Sequence, residues 1–484
     1  MGLSLLSVLG FLIAGYHPGA EDDGVYLAAI QQRLNPNLFR VDADFFAVKL
    51  KATMYIRLMA FVLQSLHVPL PLMMLAGHLL TIFAILAACY RIASHCCQHE
   101  YARWCGVGLV TVFFTLPITG TGLYIVDQYL VPRAIATALA LFAVDAVLGR
   151  RYWLGCALAA AAFVFHPVIA AFGLSLCCFL ALPWPLPAFR QPVMASALLP
   201  LAWLFNTGPL PSALHRAISM HDYCMLARWE WYEWLGVVAP VLLLRWFAQL
   251  ARAKGQGGAS MAHVSRRTAA FGVFQFAVAL LIMLPPALER MRPLEPMRYL
   301  HLIYVLMILL GGCLLGEHLL GRNRWKWALL FVPAMLGMFL AQRALYPGSP
   351  HLELPGLRPS NPWLQSFNWI RENTPQDAYF VLGPDYMHRP GEDTHGFRAL
   401  ALRSALADNA KDSAMVVTSP QLAARWQQEV DAQSAIPDWQ HVTEADLRGL
   451  KAKFGVNWVI LERPLSVTLQ CPYRNERVEV CQID

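Results

Sequence analysis

Residues 71–92 read PLMMLAGHLLTIFAILAACYRI, and no charged side chain occurs in this stretch before Arg91. A helix needs about 20 mostly apolar residues to cross a bilayer, and shorter tilted or broken helices are tolerated where neighbouring helices cover them. Ten further apolar runs meet these terms: 3–16, 105–119, 134–149, 153–166, 168–183, 193–206, 232–250, 269–286, 297–316 and 327–344. The sequence therefore predicts a polytopic α-helical membrane protein with about 11 transmembrane helices.

The composition excludes an ordinary soluble enzyme for most of the chain. The 484 residues are 57% hydrophobic and 14% charged, whereas soluble domains carry about 25% charged residues. The deficit ends near residue 346, where charge density rises and the apolar runs stop. We therefore predict a transmembrane domain over residues 1–345 and a soluble domain over residues 346–484, whose alternating helix and strand patterns indicate an α/β fold.

Basic residues are concentrated in one set of the short loops between the predicted spans. The net charge is +7, but there is no basic stripe with interleaved aromatic residues, which argues against a nucleic-acid partner. Cytoplasmic loops are enriched in Lys and Arg, so the loops predicted to be cytoplasmic contain Arg91, Arg103, Arg150, Arg151, Arg190, Arg252, Lys254, Arg266, Arg267, Arg322, Arg324 and Lys326. This orientation requires two helices, rather than one kinked helix, around His166-Pro167. The C-terminal domain then faces outward.

The loop over residues 17–70 is too long for a simple connection between spans. Residues 24–32 have a helical pattern, and residues 45–66 have an amphipathic one. Helices with an apolar face outside the bilayer core commonly lie in the interface between headgroups and acyl chains. We therefore predict interfacial helices on the outer leaflet for both segments.

Three adjacent carboxylates, Glu21, Asp22 and Asp23, directly follow the first span. Such a cluster can hold a raised pKa, bind a metal or supply a general base, and a solvated turn would show the same spacing. Asp127 is a further candidate, because an ionisable residue at the edge of an apolar run usually has a partner. A helix N-terminal acid favoured by the helix dipole is the alternative for Asp127.

Arginines crowd the short outward loop over residues 289–298, which includes Arg292 and Arg298. Guanidinium groups at headgroup level can bind a phosphate, and pairing with the two glutamates of the same loop is the alternative. His166 precedes Pro167, so it fits a structural role in satisfying backbone groups that the proline frees. A functional role for His166 stays open.

Cys471 and Cys481 flank a turn-like Tyr-Arg-Asn-Glu segment of the predicted soluble domain. Outside the cytoplasm, these two residues can cross-link a hairpin. The sequence has no Walker A loop, which argues against ATP-driven transport. It also lacks a zincin motif, a G-x-S-x-G elbow and a Cys-x-x-Cys pair.

Together these features resemble the GT-C fold glycosyltransferases, membrane enzymes that use polyprenyl-phosphate-linked sugars. The long outer loop opens with Asp22-Asp23-Gly-Val-Tyr26, which is similar to the family's acidic pair followed by Tyr. Asp127 is similar to the acid of the family's second outer loop. The helix count, the outward C-terminal domain and the tract from Trp369, WIRENTPQDA, also fit. Stretches at Phe397-Arg398, at Arg403-Ser404 and over residues 454–460 look like a bacterial branch of this group.

The chain departs from the family pattern in two respects. It has Asp-Asp where relatives often have Asp-Glu, and it lacks the Trp-Trp-Asp signature of the oligosaccharyltransferases. Transfer of N-linked glycans is therefore not expected.

The resemblance implies an inverting glycosyl transfer at the outer membrane face. Asp22 would be the general base, and Asp23 or Glu21 would orient it or bind the acceptor. Asp127 would hold the acceptor or a metal, so a divalent cation, Mg²⁺ or Mn²⁺, stays open as cofactor. Tyr26 belongs to the matching motif and would contact substrate.

Charge and location, rather than the resemblance, assign Arg292 and Arg298 to the departing lipid phosphate, with His166 as a further substrate contact. The partners would be a polyprenyl-phosphate-linked sugar, a glycan, lipid or protein acceptor, and membrane lipids. The location implied is a bacterial inner membrane with the C-terminal domain in the periplasm.

Two other classes of protein stay open at this point. A transporter or lipid flippase would use buried charges along a path, although the two repeated halves common in transporters are not seen. A non-catalytic assembly protein could keep the fold and use its soluble domain to hold a partner.

Overall fold

The computed structural model describes residues 1–182, 210–253, 258–387, 392–464 and 467–483, with the side chains of residues 49–52 left aside. Within these ranges the chain is mostly helical, with a small sheet near the C-terminus. The α-helices of the N-terminal part are α1 (Gly2–Ala14), α2 (Asp23–Leu34), α3 (Ala43–Ala52), α4 (Tyr55–Leu66), α5 (Leu70–Cys96), α6 (Glu100–Val112), α7 (Pro132–Leu148), α8 (Tyr152–Phe165), α9 (Pro167–Ala181), α10 (Ser212–Ser219), α11 (Trp231–Arg252), α12 (Ala259–Met283), α13 (Leu300–Leu315) and α14 (Arg324–Leu345).

Five of the described helices are long and apolar enough to cross a membrane. They are α5, α11, α12, α14 and the stretch Pro296–Leu320, which contains α13. These helices are consistent with a polytopic helical membrane protein, and they are fewer than the eleven spans predicted. The predicted span over 193–206 lies outside the described residues.

The other predicted spans in the described ranges form shorter helices. α1, α6, α7, α8 and α9 are 13 to 17 residues long, which is less than the roughly 20 residues of a simple span. Local backbone chemistry ends two of them. α1 stops at Gly15, which has φ +84°, and α8 stops before Pro167.

The prediction of a span over residues 105–119 is wrong in its C-terminal half. α6 ends at Val112, and β1 (Pro117–Ile118) pairs with β2 (Leu123–Tyr124) in a short antiparallel hairpin. Pro117 cannot donate a helical hydrogen bond. Gly120 turns the chain at φ +61° and packs so closely on the Trp229 ring that a Cβ would overlap it. The apolar pattern alone did not reveal this turn.

Two helices, not one kinked helix, flank His166. The residue has an extended backbone, with φ −149°, between the end of α8 and the start of α9. Proline disfavours a helical conformation in the residue before it. The Nδ1 atom of His166 accepts a hydrogen bond from the backbone N–H of Ile169 at 3.3 Å, so the imidazole caps α9. The helices α8 and α9 pack on each other and on α7.

The segment over residues 17–70 differs from the prediction of two surface helices. α2 is buried from Asp23 to Ile30, because it packs between α4 and a helix of the C-terminal domain. The prediction that residues 24–32 lie on the outer leaflet is therefore wrong. α4 fits an interfacial position better, since Phe61 and Leu66 are each 65% exposed.

A mixed sheet forms the centre of the C-terminal domain. Its strand order is β4-β3-β5-β7-β6, with β3 parallel to β4 and β5, and β7 antiparallel to β5 and β6. Its strands are β3 (Tyr379–Val381), β4 (Ser404–Ala405), β5 (Trp458–Glu462), β6 (Tyr473–Arg474) and β7 (Val478–Gln482). Its helices are α15 (Pro362–Asn373), α16 (Phe397–Ala401), α17 (Asn409–Thr418), α18 (Ala423–Ser434) and α19 (Glu444–Phe454).

Main-chain hydrogen bonds join the loop after α1 to two later segments. Tyr16 N–H donates to His351 O at 3.0 Å, and Glu21 N–H donates to Thr394 O at 2.9 Å. The N–H of Gly396 donates to Gly19 O at 2.8 Å. The acidic loop is therefore part of the same packed unit as the C-terminal domain.

Candidate functional site

A buried arginine joins two of the predicted carboxylates. Arg133, the second residue of α7, donates from Nε and Nη2 to both oxygens of Asp127, at 2.8 and 2.7 Å. Its Nη1 atom donates to Asp22 Oδ2. Arg133 and Asp127 are buried, whereas the Asp22 side chain is 45% exposed. Asp127 thus fixes Arg133, and Arg133 fixes Asp22 at an open surface.

The arrangement of these three side chains does not fit a Mg²⁺ or Mn²⁺ site. Such ions are held by carboxylate and water oxygens. Both Asp127 oxygens already accept hydrogen bonds from Arg133, and the same guanidinium stands against Asp22. The guanidinium therefore supplies the positive charge that a cation would bring. Among the described residues, the group with metal-like spacing is Cys471, Glu479 and Cys481, and its two sulfurs are oxidised.

Asp23 lies beside Asp22 in sequence but away from the open surface. It is fully buried, and its Oδ2 accepts a hydrogen bond from Gly19 N–H at 2.8 Å. Its Oδ1 has no hydrogen-bond partner among the described residues. Burial raises the pKa of Asp23 to about 8, and the charges of Asp22 and Asp127 act in the same direction. Asp23 is therefore neutral at pH 7 and holds the turn at Gly19.

Glu21 is at the outer edge of the loop. It has a left-handed backbone, with φ +49°, and its Oε1 accepts a hydrogen bond from Thr394 Oγ1 at 3.2 Å. This contact adds to the main-chain bond between the same two residues. Glu21 therefore links the loop to the C-terminal domain.

An open cleft of about 270 Å³ lies in front of Asp22. Part of the wall comes from α7 and from the junction of α8 and α9, and another part comes from α17 of the C-terminal domain. The polar and aromatic lining residues include Asp22, Tyr26, Arg133, His166, Tyr223, Glu295, Arg298 and Thr418. Four predicted site residues thus meet in one cavity: Asp22, Tyr26, His166 and Arg298.

The two predicted phosphate-binding arginines occupy different places. Arg298 lines the cleft, pairs with Glu295 at 2.7 Å and lies 5.9 Å above the Tyr223 ring. Its Nε has no hydrogen-bond partner among the described residues. Arg292 instead pairs with Glu289 at 3.5 Å and is not among the residues that line the cleft. The structure therefore places Arg298, but not Arg292, beside Asp22's cleft.

A buried His–Glu–His group behind the loop had no signal in the sequence. His17 Nδ1 and His395 Nε2 both lie within hydrogen-bond distance of Glu353 Oε1, at 2.7 and 3.1 Å. Both histidines are fully buried. The charge of His395 and the hydrogen bonds of both imidazoles lower the pKa of Glu353 to about 2, although burial opposes this shift. The group joins three chain segments at the base of the acidic loop.

Arg133 was also missed, although the sequence did carry a signal for it. Arg133 is an ionisable residue at the edge of an apolar run, and this is the same feature that made Asp127 a candidate. Ionisable residues at such positions usually have partners. Taking the two together would have predicted the ion pair.

Cys471 and Cys481 form a disulfide with an S–S distance of 2.02 Å. Cys481 belongs to β7, and Cys471 precedes β6, the strand that pairs with β7. The bond therefore closes the terminal hairpin of the C-terminal domain, far from the cleft in sequence.

No protein-family profile matches the chain, and no curated protein matches it in sequence.

Proposed function

We propose that the protein is an inverting glycosyltransferase of the GT-C type, which transfers a sugar from a polyprenyl-phosphate donor to an acceptor hydroxyl at the outer face of the membrane. The observation that carries this proposal is the position of Asp22 and Arg298 in one cleft. A carboxylate that can take a proton and a guanidinium that can hold a phosphate are the two groups that this reaction needs.

Asp22 is the proposed general base. Contact with Arg133 stabilises its negative charge, and the ionised carboxylate is the form that accepts a proton. Its Oδ2 is held by Arg133, and the side chain is still 45% exposed toward an incoming hydroxyl. As the acceptor oxygen bonds to the anomeric carbon, its proton passes to Asp22 and the bond from that carbon to the phosphate oxygen breaks.

Arg298 is the proposed partner of the leaving phosphate. Negative charge grows on the phosphate oxygen as the glycosidic bond breaks, and a preorganised donor stabilises that charge. Arg298 is held between Glu295 and Tyr223, and its side chain lines the cleft. The polyprenyl phosphate would leave with its charge against this guanidinium.

The apolar side of the cleft supports a lipid-linked donor. Phe165, Pro167 and Val168, at the junction of α8 and α9, line the cavity beside Asp22. Phe163 and Val164, which directly precede Phe165 on α8, are more than 45% exposed, as residues facing acyl chains would be. A prenyl chain could lie along this surface while its phosphate reaches Arg298. The membrane would be a bacterial inner membrane, with the C-terminal domain in the periplasm.

The proposal is tested by native mass spectrometry of the gently purified protein, followed by donor turnover in membranes. Wild type should carry a polyprenyl-phosphate sugar, and Arg298→Gln should lose it. Arg292→Gln, a change of equal charge in the same loop but outside the cleft lining, should keep it. Asp22→Asn should keep the lipid but lose turnover by about 10²–10⁴-fold, the usual contribution of a general base.

Four results would count against the enzyme. Equal lipid retention in both arginine variants would contradict the proposed phosphate site at Arg298. Full turnover by Asp22→Asn would contradict the proposed role of Asp22 as the base. Movement of an unmodified lipid across the membrane would favour the transporter, and a bound lipid without any turnover in wild type would favour an assembly protein.

A further inference from the structure

A second cleft, rich in arginine, lies at the other end of α12 from the candidate active site. The helices α11 and α12 pack on each other, and residues of both line a cavity of about 190 Å³. Arg245 and Arg252 of α11 and Arg266 of α12 line it. Ala248, Ala269, Ala270 and Val273 form its apolar part.

The three guanidinium groups have no acidic partner in the described part of the chain. None of them makes an ion pair or a side-chain hydrogen bond there, and all three are exposed. By contrast, Arg91 in the last part of α5 is matched by Asp145 at 2.7 Å. Arg245 and Arg252 are two helical turns apart and so lie on the same face of α11. None of the described residues therefore relieves their mutual repulsion.

The cleft extends along α11, one of the five described helices that are long and apolar enough to cross a membrane. Arg245 is seven residues before the end of α11, which corresponds to about 10 Å along the helix. Its neighbour Trp246 is 52% exposed, and exposed Trp residues typically lie at headgroup level. An unpaired charge at that depth in a membrane protein calls for a counter-ion.

We propose that this cleft binds the phosphate headgroup of an anionic phospholipid. Arginine matches phosphate oxygens with paired N–H donors, and basic pockets between membrane helices are suited to lipid phosphates. The apolar side, at Ala269, Ala270 and Val273, would receive the start of an acyl chain. The proposal is independent of the glycosyltransferase, because it uses none of the residues of the other cleft.

The test is native mass spectrometry of the full chain in detergent, with added phosphatidylglycerol, cardiolipin or phosphatidylcholine. The variant carries Arg245→Gln, Arg252→Gln and Arg266→Gln. The control carries Arg151→Gln, Arg322→Gln and Arg324→Gln, which removes the same charge from exposed arginines on the same predicted side. Wild type and control should retain the anionic lipids equally, and the variant should bind them about tenfold more weakly, or about 1.4 kcal/mol.

Each alternative result has a defined meaning. Equal loss in variant and control would show a general charge effect and overturn the site. Binding of phosphatidylcholine as tight as that of the anionic lipids would also overturn the site. Full displacement of lipid by millimolar glycerol phosphate would show a site for soluble phosphates instead. Size-exclusion profiles of the two triple variants would show that both remain folded.

Discussion

Replacement of Asp23 by Asn should make the stability of the protein less dependent on pH. Burial raises the pKa of Asp23 to about 8 in the folded protein, against 3.8 for an unperturbed aspartate. A carboxyl whose pKa is raised by folding contributes its full stability below the unfolded pKa and loses it as pH rises through the folded pKa. At pH 7 the unfolded chain has released this proton and the folded protein has kept it. Relative to low pH, this difference lowers the unfolding free energy at pH 7 by at most about 4 kcal/mol.

The measurement is the thermal unfolding midpoint of the detergent-solubilised protein between pH 5 and pH 7.5, followed by tryptophan fluorescence. One proton difference changes the unfolding free energy by about 1.4 kcal/mol per pH unit. Asp23→Asn should flatten this slope by one proton and be more stable than wild type near pH 7. Asp44→Asn, whose side chain is 74% exposed, is the control and should keep the wild-type slope.

Identical slopes for wild type and Asp23→Asn would refute the reasoning. They would mean that Asp23 is ionised in the folded protein despite its burial. The same variant also separates the two carboxylates of the loop, because Asp23→Asn should retain turnover if Asp22 alone is the base.

Three further results are expected. Arg133→Met should lower the unfolding free energy by about 3–5 kcal/mol, because it leaves the buried Asp127 without its counter-charge. Chemical unfolding in detergent measures this loss, and a clearly smaller value would mean that the ion pair does not stabilise the fold. Arg398→Met should lower the unfolding free energy by a similar amount, because it breaks buried ion pairs with two aspartates. Arg448→Met removes an exposed ion pair and should lower it by under about 0.5 kcal/mol. Equal losses of stability in the two variants, measured by pulse proteolysis, would contradict this expectation. Reduction should lower the stability of wild type by roughly 2–3 kcal/mol through the bond between Cys471 and Cys481, which closes a short loop, and Cys471→Ser should be insensitive to reductant.

The membrane part of the fold was predictable where the signal is local. The long run at 71–92 became α5, because a sequence of apolar residues without breakers decides a helix on its own. The prediction of a span over residues 105–119 was wrong because α6 ends at Val112 and is followed by Pro117 and a turn at Gly120. Proline is a visible helix breaker in the sequence, whereas the turn at Gly120 is not evident from a hydropathy pattern. Burial of α2 could not be foreseen, because its covering helix, α16, begins at Phe397.

The site was predictable only as far as charge at the edge of apolar runs could indicate it. Asp22 and Arg298 stand out by that criterion, and the structure brings both to one cleft. This criterion does not distinguish the arginine of the loop that lines the cleft from one that does not, so Arg292 and Arg298 were predicted as equal candidates. The His17–Glu353 contact joins residues 336 positions apart, and no spacing rule reaches across such a distance.

The main-chain bonds between the acidic loop and residues 351–396 have a consequence for biosynthesis. The loop leaves the ribosome more than 300 residues before the chain segments that hold it. Until those segments are made, the main-chain groups of Gly19 and Glu21 lack these hydrogen-bond partners, and the loop that carries Asp22 lacks its attachment to the later part of the chain. A nascent chain halted before residue 396 should therefore insert its helices yet carry no competent cleft, so that maturation of the site is tied to completion of the polypeptide.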